Sequence, residues 1–109
     1  MLIPAPELLY AVLLMNILLI MPRYSLTTKA DYNYFFPLGL PYISAALKKA
    51  GYSIDCVNLN HLDGTIKLII TSILNSKKYD FVCTGGNALN YSVLESIINS
   101  SRKHPSNPK

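Results

Sequence analysis

The chain has 109 residues, 50% of them hydrophobic, and no low-complexity tract, which leaves room for one small globular domain and excludes a disordered polypeptide. Its formal charge of +4 invites a nucleic-acid reading, yet most of the ten basic residues fall in the pairs Lys48–Lys49, Lys77–Lys78 and Arg102–Lys103. Each pair closes a predicted helix, where cations complement the negative end of the helix dipole, so this basicity needs no anionic partner and no nucleic-acid role is expected.

Residues 1–14 read as an N-terminal extension ahead of a domain spanning 15–109. The apolar run from Leu8 to Met21 is broken only by Asn16, but its 14 residues fall short of the roughly 20 that a membrane span needs, and Glu7 rather than a basic region precedes it. Neither a signal peptide nor a membrane segment is expected. Asn16 to Met21 is continuously apolar and stopped by Pro22, as a central parallel strand covered on both faces should be. From Pro22 to Phe36 no period is visible. That loop, rich in aromatic residues, is longer than the usual two to six or so residues between strand and helix, and loops of that length carry function or are disordered.

A helix follows, its stripe formed by Leu40, Ile43, Leu47 and Ala50 with Tyr42 and Ala46 alongside; Pro37 and Pro41 are tolerable in its first turn and Gly51 ends it. The second strand runs from about Ser53 to Leu59. Asn58 to Gly64 is a loop, and Thr65 to Lys78 carries the clearest helical stripe, Ile66, Ile69, Ile70, Ile73 and Leu74. The third strand is Asp80 to Thr84, followed by Gly85-Gly86-Asn87, where small residues permit a close backbone approach or a turn. Ser92 and Glu95 have capping-box spacing, and Val93, Leu94, Ile97 and Ile98 continue a third helix. The tail HPSNPK reads as a loop.

Strand and helix thus alternate three times, which implies an α/β fold, a flavodoxin-like (Rossmann-like) three-layer sandwich with a parallel sheet in the order 2-1-3. Such domains usually continue for two more strands, so the domain reads as incomplete at its C-terminus, with an edge at the third strand left unpaired or paired with another chain. Cys56 and Cys83 fall on strands that flank the first, read as buried thiols in a reducing cytosol, and lack the neighbours a zinc or iron-sulfur site requires. Ligands of open parallel sheets bind beyond the carboxyl ends of the strands, which nominates 22–36, 58–64 and 84–90. No nucleophile with a base, close carboxylate pair, P-loop or GxGxxG is present in them, so binding is expected rather than catalysis.

Met15-Asn-Ile-Leu-Leu-Ile, the Pro37-Leu-Gly-Leu opening, the helix end Lys48-Lys-Ala-Gly-Tyr52 and a strand ending near Asn58 together resemble the N-terminal cobalamin-binding domain of cobalamin-dependent radical S-adenosylmethionine proteins, here truncated. The resemblance implies a corrinoid cofactor cradled by Pro22, Arg23, Tyr24, Asn58, Thr84, Gly85, Gly86 and Asn87, in a cytoplasmic protein. It also implies a partner radical domain, absent from this chain, that holds the 4Fe-4S cluster and S-adenosylmethionine, in an enzyme of methyltransferase type. The chain alone should have no turnover. His61 and Gly64 match part of the Asp-x-His-x-x-Gly motif that places a histidine beneath cobalt in many cobalamin domains, but Leu59 stands where Asp belongs and the segment follows the second strand instead of the first. His61 is therefore expected to be an exposed loop residue. The readings left beside this one are a flavodoxin-like or receiver-like module for another ligand or partner, and a gene fragment with no function of its own.

Overall fold

The computed structural model describes residues 15–24, 28–32, 39–85 and 91–109. Three parallel strands, β1 (Asn16–Met21), β2 (Ser53–Asn58) and β3 (Phe81–Thr84), form one sheet in the order β2-β1-β3. The helices are α1 (Gly39–Lys49), α2 (Ile66–Ser76) and α3 (Tyr91–Arg102), with a 3-10 turn at Leu59–His61. This is the expected α/β layout with the expected strand order. The 3-10 turn, not anticipated, takes the last residue assigned to the second strand.

β1 is buried along its length after Asn16, because it is the central strand with a layer on each face. Its alternate residues divide the core. Leu18 and Ile20 pack with Ile66, Ile70 and Leu74 of α2 and with Val93 and Ile97 of α3; Ile17 and Leu19 pack with Ile54 and, from α1, with Leu40 and Leu47. The helices therefore lie on opposite faces, as right-handed crossovers leaving β1 in one direction and returning past it in the other require.

The ends of α1 and α2 follow their local chemistry. Gly51, at φ 98°, follows α1 and its N–H donates to Lys48 O at 3.0 Å, while Tyr52 N–H donates to Leu47 O at 3.1 Å. Those two bonds are the Schellman closure that a left-handed glycine permits. Thr65 caps α2 by accepting from Leu68 N–H at 3.2 Å. Ser92, by contrast, is the second residue of α3, so the capping box read from Ser92 and Glu95 is not the start of that helix.

Three further expectations are corrected. α1 turns Leu40, Ser44 and Leu47 toward the sheet, leaving Ile43 half exposed and Tyr42, Ala46 and Ala50 exposed. The small Ser44 permits close approach, and its Oγ lies 2.9 Å from Cys56 Sγ. Both cysteines are free and exposed, not buried. They stand on either side of Leu19 in the ladder, so two strand spacings of about 4.8 Å separate them, beyond disulfide reach. Lys77 lies just past α2 and pairs with Asp55 of β2 at 3.0 Å, instead of serving only the helix end. Among the described residues no helix is long and apolar enough to cross a membrane.

Candidate functional site

The carboxyl ends of β1 and β2 deliver two loops side by side. β1 ends at Met21 and is followed by the buried Pro22 and Arg23, the latter 1% exposed. Arg23 Nε donates to Leu59 O at 3.1 Å, one terminal nitrogen donates to Gly64 O at 2.8 Å, and the other donates to Leu62 O. Three carbonyls of one short loop thus surround one guanidinium, whose planar fork of donors suits that arrangement. Desolvation lowers the Arg23 pKa and Asp63 opposes that shift. Arg23 is the internal bolt of the site.

Asn60 performs the complementary task. It is 2% exposed, its Nδ2 donates to Pro22 O at 3.1 Å and to Asn58 Oδ1 at 3.0 Å, and its Oδ1 accepts from Tyr24 N–H at 2.8 Å. Asn58 Oδ1 also accepts from Asn60 N–H, so Asn58 caps the 3-10 turn that aims Asn60 inward. Further along, Asp31 N–H donates to Asn60 O at 2.8 Å, Gly64 N–H to Thr28 O at 2.6 Å, and Ala30 N–H to Asp63 Oδ1 at 2.7 Å. The described parts of the long first loop are therefore held to the second loop by main chain and side chain together. Gly64 sits at φ 113°, in the left-handed region that disfavours other residues.

Outward from this frame stand aromatic rings. Tyr24 is 57% exposed and Tyr32 is 72% exposed; the Tyr32 ring stacks on His61 with centroids 4.8 Å apart and planes at 26°. His61, the last residue of the 3-10 turn, is an exposed loop residue as expected. On the β3 side, Thr84 Oγ1 donates to Ile20 O at 2.9 Å, and a Cβ placed on Gly85 would meet Leu40 Cδ2 at 3.7 Å, an ordinary contact.

Of the residues nominated from sequence, Pro22, Arg23, Tyr24 and Asn58 are brought together, linked through Asn60. Thr84 and Gly85 lie at the end of the adjacent strand, and Gly86 and Asn87 fall outside the described residues. The polar groups of Arg23 and the described acceptor of Asn58 are engaged by the protein, as is the Thr84 hydroxyl. What this end offers a ligand is aromatic surface on a bolted frame. Asn60 was missed, although the Asn58-x-Asn60 spacing followed by Gly64 is a turn signal that could have nominated it. Among the described residues no three His, Cys, Asp or Glu side chains gather in a metal-binding group.

The fold and this pair of loops define the class, an open parallel α/β sandwich with its candidate site at the carboxyl end of the sheet. Compared with models of known protein families, with curated proteins and with solved structures, the chain has no match.

Proposed function

We propose that this chain is a binding module for a large flat cofactor, a corrinoid such as cobalamin, held beyond the carboxyl ends of β1 and β3, and that it performs no turnover by itself. The observation that carries the reading is the bolted pair of loops beside the point where strand order reverses, with Tyr24 and the stacked Tyr32–His61 pair presented outward. Ligands of open parallel sheets occupy this position, and rings on a rigid frame contact a broad ligand at little entropic cost.

The residues suited to hold the group are Tyr24 and Tyr32 through their ring faces and the Thr84–Gly85 rim through van der Waals contact. Cobalt chemistry, methyl transfer in the family that the sequence resembles, would be delivered to a separate radical domain. His61 has its ring on Tyr32, which suits a stacking role better than ligation of cobalt.

The test is titration of the purified chain with hydroxocobalamin, followed by gel filtration and the visible spectrum of the protein fraction. One retained equivalent is expected, with affinity falling by about tenfold when Tyr24 and Tyr32 are both changed to Ala. The spectrum should be unchanged by His61→Ala. No retention by protein that is folded by circular dichroism overturns the proposal.

A further inference from the structure

α2 and α3 lie side by side on one face of the sheet and turn Ile66, Ile70 and Leu74, with Val93 and Ile97, into the core. On the solvent side their seam opens into a groove of about 310 Å³, lined by Lys67 and Thr71 from α2, by Ser96 and Ser100 from α3, and by Lys103 and His104 just past α3. Lys67 and Thr71 are four residues apart, as are Ser96 and Ser100, so each helix brings two polar side chains to the same face. The short hydroxyl side chains leave the groove open. Among the described residues its lining holds no carboxylate.

Lys67 and Lys103 are exposed, and neither forms an ion pair among the described residues. The hydroxyls of Thr71, Ser96 and Ser100 are half-buried and make no hydrogen bond to another described group. Lys103 complements the end of α3, but Lys67 is the second residue of α2, where the positive end of the helix dipole disfavours a cation. Nothing in the helix accounts for that charge; an anion in the groove does. The wall at the other end is fixed. Ser106 N–H donates to His104 Nδ1 at 3.1 Å, which places the ring proton on Nε2, and Nε2 donates to Asn75 Oδ1 at 2.7 Å. His104 thus ties the turn after α3 to α2, with both nitrogens engaged by the protein.

We propose that this groove binds the phosphate group of a small phosphate monoester, with Lys67 and Lys103 on its charged oxygens and the hydroxyls of Thr71, Ser96 and Ser100 as neutral donors. Two ammonium groups match a dianion, and several separate donors suit the tetrahedral set of phosphate oxygens. A planar carboxylate is met better by the fork of an arginine. The volume stands at the lower end of the roughly 300–1,000 Å³ of small-ligand pockets, so the groove takes the phosphate with a short organic body. This site lies on the helical seam, apart from the loops at the carboxyl end of the sheet, and does not depend on the corrinoid reading.

The probe is glycerol 3-phosphate, titrated at low salt against the full chain with amide NMR shifts as the readout. Saturable shifts centred on the amides of Thr71 and Ser100 are expected, and glycerol itself should produce none. Lys67→Gln and Lys103→Gln should each weaken binding at least about fivefold, while Lys49→Gln, on the exposed side of α1, should leave it unchanged. Succinate, a dianion of two carboxylates, should bind at least about fivefold weaker than the phosphate ester. The proposal is overturned if the chain, folded by circular dichroism, shows no saturable shifts, or if Lys67→Gln, equally folded, binds as well as wild type. It is also overturned if succinate binds as tightly. A five-residue glycine peptide with one central phosphoserine that binds at least about tenfold tighter than glycerol 3-phosphate would assign the groove to a phosphorylated protein and overturn the small ester.

Discussion

Arg23, at the end of β1, is joined to Leu59, at the end of β2, by a buried bond of 3.1 Å from Nε to the carbonyl oxygen. With the bonds to Leu62 O and Gly64 O it makes the second loop depend on a side chain from the first. The loops at the candidate site consequently behave as one unit.

Arg23→Met should lower stability by about 3 kcal/mol, measured as the shift of a urea unfolding curve, since it leaves three loop carbonyls without their charged donor. That is a large share of the stability of an ordinary small domain. Arg23→Lys should recover roughly half or less, because one ammonium cannot reproduce the planar fork. Hydrogen exchange at the Gly64 and Asp31 amides, bonded to Thr28 O and Asn60 O, should quicken in both variants.

Asn60→Ala should cost about 1–3 kcal/mol in the same assay, because Pro22 O and Tyr24 N–H lose their partner in a buried setting. Asn60→Asp keeps an acceptor for Tyr24 N–H but turns an oxygen toward Pro22 O and Asn58 Oδ1. It should be at least as destabilising as the alanine variant at neutral pH, and less so once the new carboxyl is protonated.

A pH dependence follows from the other side of the sheet. Tyr79 Oη donates to Asp55 Oδ2 at 2.6 Å. Burial, then that bond, pushes the Tyr79 phenol from 10.0 to about 12, while the bond from Tyr79, followed by Lys77, holds Asp55 below its ordinary 3.8. Between these values the unfolded chain releases the Tyr79 proton and the native chain keeps it. Its stabilisation is therefore complete below pH 10.0 and disappears as pH rises through about 12. The Asp55 contribution is complete above its unfolded value and is lost as pH falls through the native one. The difference in urea midpoint between wild type and Tyr79→Phe should shrink toward both extremes; a difference independent of pH would remove this pair as the cause.

Cys83 offers a chemical readout of the β3 edge. Desolvation raises its thiol pKa. In a Cys56→Ser background the pH midpoint for alkylation by iodoacetamide should lie above that of free cysteine, because the thiolate is the reactive form. A midpoint at the free value would show the sulfur to be fully solvated.

The extent of β1, the Gly51 stop of α1, the stripe of α2 and the strand order were all legible in the sequence. Each depends on periodicity or on residues adjacent in the chain, and the alternation of three strands with three helices leaves few allowed topologies. Which arc of α1 faces the sheet was not legible, since Leu40 and Leu47 belong equally to a stripe through Ile43 and to one through Ser44. Close packing over Cys56 decided for Ser44.

The site divides in the same way. Its place at the carboxyl end of the sheet follows from topology, and the described parts of the segments 22–36 and 58–64 nominated from sequence meet there. The role of Arg23 did not follow, because an arginine beside aromatic residues in a long loop reads as a ligand contact when its neighbours are unknown. Its carbonyl partners lie 36 to 41 residues away along the chain, and the two bonds of Lys109 also reach far back, to Asp80 and Val82. Periodicity describes what a residue does to its own turn or strand; only the tertiary structure decides which distant carbonyls a buried side chain meets, because that depends on how whole elements pack.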